Sequence, residues 1–114
     1  MDSYSTRCLF EWAPRTGQRK LHLYEERITL WRANSADDAI DMAEREAQAY
    51  AGDNSTYLGV CQSYRLVESL AVSGVEIFSL LRESDLEPQN YIDALFATGH
   101  ERQTSDSPAT TGLA

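Results

Sequence analysis

LYEERITLW, residues 23–31, is the stretch that decides how this chain folds. The apolar and aromatic residues at its two ends suit a pleated strand, yet Glu25, Glu26 and Arg27 stand between them. Because neighbouring side chains of a strand point to opposite faces, no regular register keeps all of these charges in water on one face. We expect either that Glu26 shares a buried face with Tyr24, or that both faces of the strand have a role.

Alternation of residue types predicts further strands around this stretch. YSTRCLFEW, residues 4–12, alternates with period two, and the turn-forming segment APRTGQRK, residues 13–20, connects it to a second strand, residues 21–33. TYLGVCQSYRLVE, residues 56–68, and VEIFSLLRE, residues 75–83, predict a third and a fourth strand. The first two strands are expected to pair as an antiparallel hairpin.

Two segments are predicted as helices. In SADDAIDMAEREAQAYAG, residues 35–52, Ser35 suits the N-cap and Asp38 completes a variant of the capping box. An apolar stripe rich in alanine follows at three- and four-residue spacing and stops at Gly52. SDLEPQNYIDALFATG, residues 84–99, predicts a second, shorter helix with a proline in its first turn.

The order strand, strand, helix, strand, strand, helix predicts a single α+β domain over residues 1–99. A four-stranded, mainly antiparallel sheet with both helices on one face is the simplest arrangement that buries the apolar stripes. Gly59, inside the third strand, indicates a bulge or a close contact with the helix. Residues 100–114 lack periodicity and predict a flexible C-terminal tail. The uncovered face of the sheet is expected to carry aromatic side chains that mark a partner surface, with the candidates Trp12 or Trp31, Tyr24 and Tyr57.

The charge balance narrows the classes of partner. The chain has 114 residues, which suits one domain, and its formal net charge is −8, with 18 Asp and Glu against 10 Lys and Arg. Nucleic acids and anionic membrane surfaces bind positive proteins, so this balance argues against both and favours a basic protein as partner. No apolar run is long enough to span a bilayer and no export signal is visible, so we expect a cytoplasmic protein.

Cys8 and Cys61 both lie in strand-like apolar stretches. They are predicted to be buried thiols in a reducing compartment, with a disulfide between neighbouring strands as the alternative. Neither has a second Cys or a His at metal-ligand spacing, and the glycines are scattered singly. The sequence therefore predicts no metal, no phosphate-binding loop and no cofactor.

The charged centre of the opening stretch is the strongest candidate for chemistry. At period-two spacing His22, Tyr24 and Glu26 would line one face, where a partly buried carboxylate with a raised pKa would serve as a general base or bind a ligand. The structural alternative is a cross-strand ion pair from either glutamate of the stretch to Arg7 or Arg65. No catalytic residue is assigned. The candidates for partner or ligand binding are His22, Tyr24, Glu25, Glu26, Arg27 and Trp31.

Residues 23–50 combine a Tyr-Glu-Glu-Arg motif, an apolar strand end, a serine cap and an alanine-rich acidic helix. This combination resembles the domain-of-unknown-function 4288 family of small bacterial proteins, whose members also have strands like YSTRCLFEW and YLGVCQSYRLVE. The similarity covers residues 4–83, and the positions that look most like the family pattern are Tyr24, Glu25, Glu26 and Arg27. The resemblance implies a bacterial, cytoplasmic protein of uncharacterised activity and brings no catalytic residues to carry over.

Two classes of function remain. The first is a small acidic protein-interaction module, either an immunity-type inhibitor of a basic toxin or nuclease or a homodimeric accessory protein. The second is a small-molecule binder or an enzyme that uses the strip of His22, Tyr24 and Glu26. The net charge of −8 and the lack of a catalytic constellation favour the interaction module over an enzyme.

Overall fold

The computed structural model describes residues 1–99 and 102–104. The rest of the segment predicted as a tail lies outside the described residues. In chain order the elements are β1 (Asp2–Trp12), β2 (His22–Ala33), α1 (Ala36–Tyr50), β3 (Ser55–Arg65), β4 (Val75–Ser84), α2 (Pro88–Tyr91), a π-helical turn (Ile92–Phe96) and β5 (Arg102–Gln103).

The α+β class and the antiparallel sheet are confirmed, but within residues 1–99 and 102–104 the sheet has five strands, in the order β4-β2-β1-β3-β5. The prediction of four strands is wrong because Arg102 and Gln103, in the predicted tail, pair with Ser63 and Gln62 of β3. A two-residue strand has no periodicity that a sequence pattern can reveal. The predicted hairpin of β1 and β2 is confirmed, with Asp2 opposite Ala33 and Trp12 opposite Leu23.

The helical segments cover opposite faces of the sheet, so the prediction that both lie on one face is wrong. Cys8 and Phe10 of β1 pack with the apolar side of α1, whereas Leu9 packs with Tyr91 and Phe96 of α2 and the π-helical turn. Neighbouring residues of a strand point to opposite faces, and here both faces are apolar at the centre of β1. Each face therefore needs its own cover.

The start of α1 and the irregularity of β3 follow the sequence prediction. The Ser35 hydroxyl accepts a hydrogen bond from the Asp38 amide at 3.1 Å, as expected for an N-cap. The register of β1 and β3 shifts between Cys8 and Phe10, beside Gly59, whose φ is +79°. Nothing lies within 4 Å of the position that a Cβ would take at Gly59. The glycine therefore serves the bulge conformation and not a close approach of the helix.

The second predicted helix is present but short. Pro88 stands in its first turn as predicted, and α2 continues directly into the π-helical turn. Tyr91, Ile92 and Phe96 are buried against the sheet. The segment packs on Leu9 of β1, Tyr24 of β2 and Val60 of β3, whereas Phe78 in the middle of β4 stays exposed.

Candidate functional site

The charges of the opening stretch divide between the two faces of β2, which answers the question that the stretch raised. Glu26 lies opposite Leu9 on the face that α2 and the π-helical turn cover. Tyr91 of α2 donates its hydroxyl proton to Glu26. Glu25 lies on the other face, where it contacts Tyr50 of α1. Both faces have a role, and each glutamate is nearly completely buried.

Glu26 is the centre of a charged network on the α2 face. Nε and Nη2 of Arg7 lie 3.0 and 2.5 Å from Oε1 of Glu26. Its Oε2 accepts hydrogen bonds from the Tyr91 hydroxyl at 2.6 Å and from Nη1 of Arg82 at 3.2 Å. The structural alternative allowed an ion pair from either glutamate to Arg7 or Arg65. The structure has the pair of Glu26 with Arg7, whereas Arg65 pairs with Asp2. A buried carboxylate with two arginines and a hydroxyl donor has little acceptor capacity left for a ligand.

Arg7 and Gln62 hold the end of the π-helical turn against this network. Nη1 and Nη2 of Arg7 donate to the backbone oxygens of Phe96 at 3.4 Å and Leu95 at 3.2 Å, and the guanidinium lies 4.2 Å from the centre of the Phe96 ring. Nε2 of Gln62 donates to the same Phe96 oxygen at 2.8 Å. These donors satisfy carbonyl groups that a helix end leaves unpaired, which is a structural task.

Tyr91 remains a hydrogen-bond donor over the ordinary pH range. Burial, and then its hydrogen bond to Glu26, raise the pKa of Tyr91 to about 12. Its ring also packs on Tyr24, with 4.2 Å between the ring centres. Tyr91 therefore ties α2 to the sheet by both its hydroxyl and its ring.

The other two residues of the predicted strip are also engaged. Tyr24 is buried, and its hydroxyl donates to the Leu86 backbone oxygen at 2.8 Å. The His22 ring stacks on Tyr24, and its Nδ1 lies 2.5 Å from Oε2 of Glu11 while Nε2 lies 3.4 Å from Oε1 of Glu87. The structure therefore brings His22, Tyr24 and Glu26 onto one face but covers the strip and pairs its polar groups.

On the α1 face, Glu25 is held by neutral donors. Its carboxylate accepts hydrogen bonds from Nε1 of Trp12 at 2.9 Å, from the Tyr50 hydroxyl at 3.0 Å and from the Ser79 hydroxyl. Burial, and then the hydrogen bond to Glu25, raise the pKa of Tyr50 to about 12. Glu25 therefore joins β1, β2, β4 and α1 at a single buried carboxylate.

Arg27 makes a second cross-link on the α1 face. Its Nη1 and Nη2 bind the two carboxylate oxygens of Glu46 on α1 at 2.5 and 2.9 Å, and its Nε binds Glu76 on β4. The guanidinium also lies 3.8 Å from the centre of the Tyr50 ring. A bidentate pair of this kind fixes the orientation of the helix on the sheet.

The aromatic side chains that the sequence predicts for an uncovered face of the sheet are instead buried or hydrogen-bonded. Trp31 donates its Nε1 proton to the hydroxyls of Thr29 at 2.7 Å and Thr6 at 3.1 Å, and its ring lies against Gly74. Tyr57 is buried with its hydroxyl 2.6 Å from Oε2 of Glu44. That prediction is wrong because a helical segment covers each face of the central strands.

The uncovered part of the sheet is instead its outer strand, β4. Among the described residues β4 pairs only with β2, and α1 packs against β1, β2 and β3. We call the exposed apolar side chains of this strand the β4 surface: Val75, Ile77, Phe78 and Leu81, which are 42, 53, 52 and 42% exposed. The preceding loop adds Val67, Leu70 and Val72, which are also exposed. Sequence reasoning missed this surface, although the run Ile77–Leu81 without a charge was its signal.

Within residues 1–99 and 102–104, no group of His, Cys, Asp and Glu side chains is arranged to hold a metal ion. In the same part of the chain, no helix is long and apolar enough to cross a membrane.

No protein-family model, no curated protein and no solved structure matches the chain. The resemblance to the domain-of-unknown-function 4288 family therefore stays a prediction.

Proposed function

We propose that this protein is a small acidic protein-interaction module that binds a basic partner protein through the β4 surface. The observation that carries the proposal is the position of the exposed apolar side chains, which lie along the outer strand of the sheet, whose only strand partner among the described residues is β2. An outer strand offers unpaired backbone groups to a strand of another protein, and apolar side chains beside it add buried area.

The exposed apolar residues support this proposal because a group of apolar side chains on a protein surface often marks a binding site. Single exposed apolar residues are common, but here they flank both faces of one outer strand: Val75 and Phe78 lie opposite Leu30 and Ile28, and Leu81 lies opposite Glu25 on the other face. A strand added at this edge would contact side chains of both faces. Edge strands of independent proteins are commonly protected by charged side chains. In β4 the charges stand only at the ends of the strand, at Glu76 and at Arg82–Glu83, and leave Ile77–Leu81 uncharged.

The charge of the chain supports a basic partner. The formal net charge is −8, and Glu87, shortly after β4, keeps 69% of its side chain exposed, whereas the charge of Glu76 is paired with Arg27. An acidic surface around an apolar contact accelerates encounter with a basic protein and disfavours acidic ones. An immunity-type inhibitor of a basic toxin or nuclease is one specific form of this proposal.

A pull-down from the native host with a substitution in the β4 surface tests the proposal. Ile77→Lys puts a charge among the exposed apolar residues, and we expect it to reduce the recovery of a stoichiometric basic partner at least about tenfold. Gln48→Lys, on the exposed side of α1, makes the same charge change away from the β4 surface and should leave recovery unchanged. High salt should also lower recovery of the partner.

The other outcomes are equally informative. Equal recovery of a basic partner by wild type and Ile77→Lys would contradict the assignment of the β4 surface. Recovery of the chain alone, with loss on Ile77→Lys, would replace the basic partner with a second copy. If two copies paired through their β4 strands, no like charges would lie opposite each other within Ile77–Leu81.

A further inference from the structure

Cys8 and Cys61 lie directly opposite each other on the neighbouring antiparallel strands β1 and β3. Both are free thiols, 4 and 0% exposed, and both belong to the apolar cluster beneath α1. Their side chains therefore point to the same face, as directly paired residues of an antiparallel sheet do.

The backbone around Cys61 shows which kind of cross-strand pair this is. The Cys61 amide donates to the Thr104 hydroxyl at 3.0 Å, and the Cys61 carbonyl accepts from the Thr104 amide at 2.9 Å. Both backbone groups of Cys61 thus point away from β1. Cys8 and Cys61 form a non-hydrogen-bonded pair, the kind in which opposite Cα atoms lie only about 4.5 Å apart. That separation falls within the range of about 4.4–6.8 Å that disulfides span.

The two thiols also lie in one apolar cluster. The neighbouring Cys8 thiol, and then burial, raise the pKa of Cys61 above its ordinary value. Two thiols on one face, at directly opposite positions of neighbouring strands, have the placement that a cross-strand disulfide needs.

We propose that Cys8 and Cys61 are an oxidisable dithiol site that forms a reversible intramolecular disulfide, with a low-molecular-weight disulfide such as glutathione disulfide as the oxidant. This inference does not depend on the proposed function, since the bond would link β1 to β3 and leave the β4 surface unchanged.

The reaction is an ordinary thiol–disulfide exchange. One cysteine loses its proton and attacks glutathione disulfide, which breaks the S–S bond and releases one glutathione thiolate. The second cysteine then loses its proton and attacks the mixed disulfide, which forms the Cys8–Cys61 bond and releases the second glutathione. The protein gives up two electrons and two protons, and one glutathione disulfide becomes two glutathione thiols.

Access to the site limits the rate but not the equilibrium. Ile40 and Ala43 of α1 cover the thiols in the same cluster, and buried thiols with a raised pKa react slowly. The decisive quantity is therefore the equilibrium constant for the disulfide in the folded and the unfolded chain. A disulfide that fits the native geometry forms more readily in the folded state, because it stabilises that state by linkage.

The experiment equilibrates the full chain with glutathione buffers of graded ratio, in native buffer and in urea. The native samples start both from the reduced chain and from a chain oxidised in urea and then refolded. Mass spectrometry after acid quenching counts the loss of two hydrogens, and a peptide map identifies the Cys8–Cys61 link. We expect the equilibrium constant for the disulfide to be at least about tenfold larger in native buffer than in urea.

Three results would overturn the proposal: an equal or smaller equilibrium constant in native buffer, glutathione adducts without the internal bond, or an oxidised chain that does not regain the far-UV circular dichroism of the reduced one. Cys61→Ala, which cannot form the internal bond, is the control for adduct formation.

Discussion

Glu26 is the residue on which the α2 face depends. Period-two alternation places Glu26 on one face with Tyr24, and the ion pair with Arg7 is one of the pairings that the structural alternative allowed. The contacts of Arg82 and Tyr91 were not predictable, because they come from segments far along the chain whose positions depend on tertiary packing. For the same reason, alternation could not say that Glu25 would be held by neutral donors under α1.

We expect substitution of Glu26 to lower the stability of the folded protein. Glu26→Gln removes the charge opposite Arg7 and Arg82, and breaking a largely buried ion pair costs about 2–4 kcal/mol of unfolding free energy. Urea unfolding followed by circular dichroism measures this loss. Glu87→Gln, whose side chain is 69% exposed, is the matched control and should change little. A stable Glu26→Gln protein would instead return this residue to the list of functional candidates.

His22 predicts a pH dependence of stability. The hydrogen bond to Glu11 is the largest cause that raises the pKa of His22 above 6.5. A raised folded-state pKa means that the protonated form favours folding, so the contribution is fully present below about pH 6.5 and is lost as pH rises through the folded-state pKa. The stability difference between wild type and His22→Gln, measured by urea unfolding from pH 5.5 to 8.5, should therefore shrink with rising pH. An increase with pH would contradict the assigned ion pair.

The long elements could be predicted from the sequence, and the short ones could not. Residues 35–52 carry a cap and an apolar stripe, and α1 spans Ala36–Tyr50 within them. The segment after Pro88 has apolar residues at similar spacing but forms only a short helix and a π-helical turn, whose end is set by Arg7 and Gln62. Such a boundary is imposed by distant residues and leaves no local signal.

The N-cap of α1 should contribute measurably to stability. Ser35→Ala removes the acceptor for the Asp38 amide and should cost about 1 kcal/mol of unfolding free energy, whereas Ser35→Asp retains an acceptor and should be nearly neutral. Thermal and urea unfolding of the two variants distinguish them. Equal losses in both would mean that the cap is not the source of the effect.

The bulge in β3 should depend on glycine for its backbone conformation. Gly59 has a φ of +79° with open space around it, so Gly59→Ala should cost about 1–2 kcal/mol through backbone strain alone. Gly52→Ala adds the same methyl group at a glycine that also has open space but no positive φ. We expect Gly52→Ala to leave stability nearly unchanged. Similar urea midpoints for the two variants would contradict this account of the bulge.

At the scale of the whole molecule, the strand order decides which surface is open. The sequence pattern of VEIFSLLRE predicts a strand, and β4 confirms it, but nothing in that pattern says that the strand lies at the edge. Its place is set by pairing with β2 and by helical cover that stops short of it. The net charge could be read from the sequence, whereas the β4 surface becomes visible only in the fold.

Hydrogen–deuterium exchange on the free protein and on the complex recovered from the host tests the central claim most directly. The account predicts that amides of residues 75–84 exchange faster than those of β1 in the free protein, because β1 pairs with strands on both sides whereas β4, in the part of the chain that the structure describes, pairs only with β2. In the complex, the same amides should become the most strongly protected part of the chain. Protection confined to α1 or to the loop between β1 and β2, with β4 unchanged, would contradict the claim that the β4 surface binds the partner.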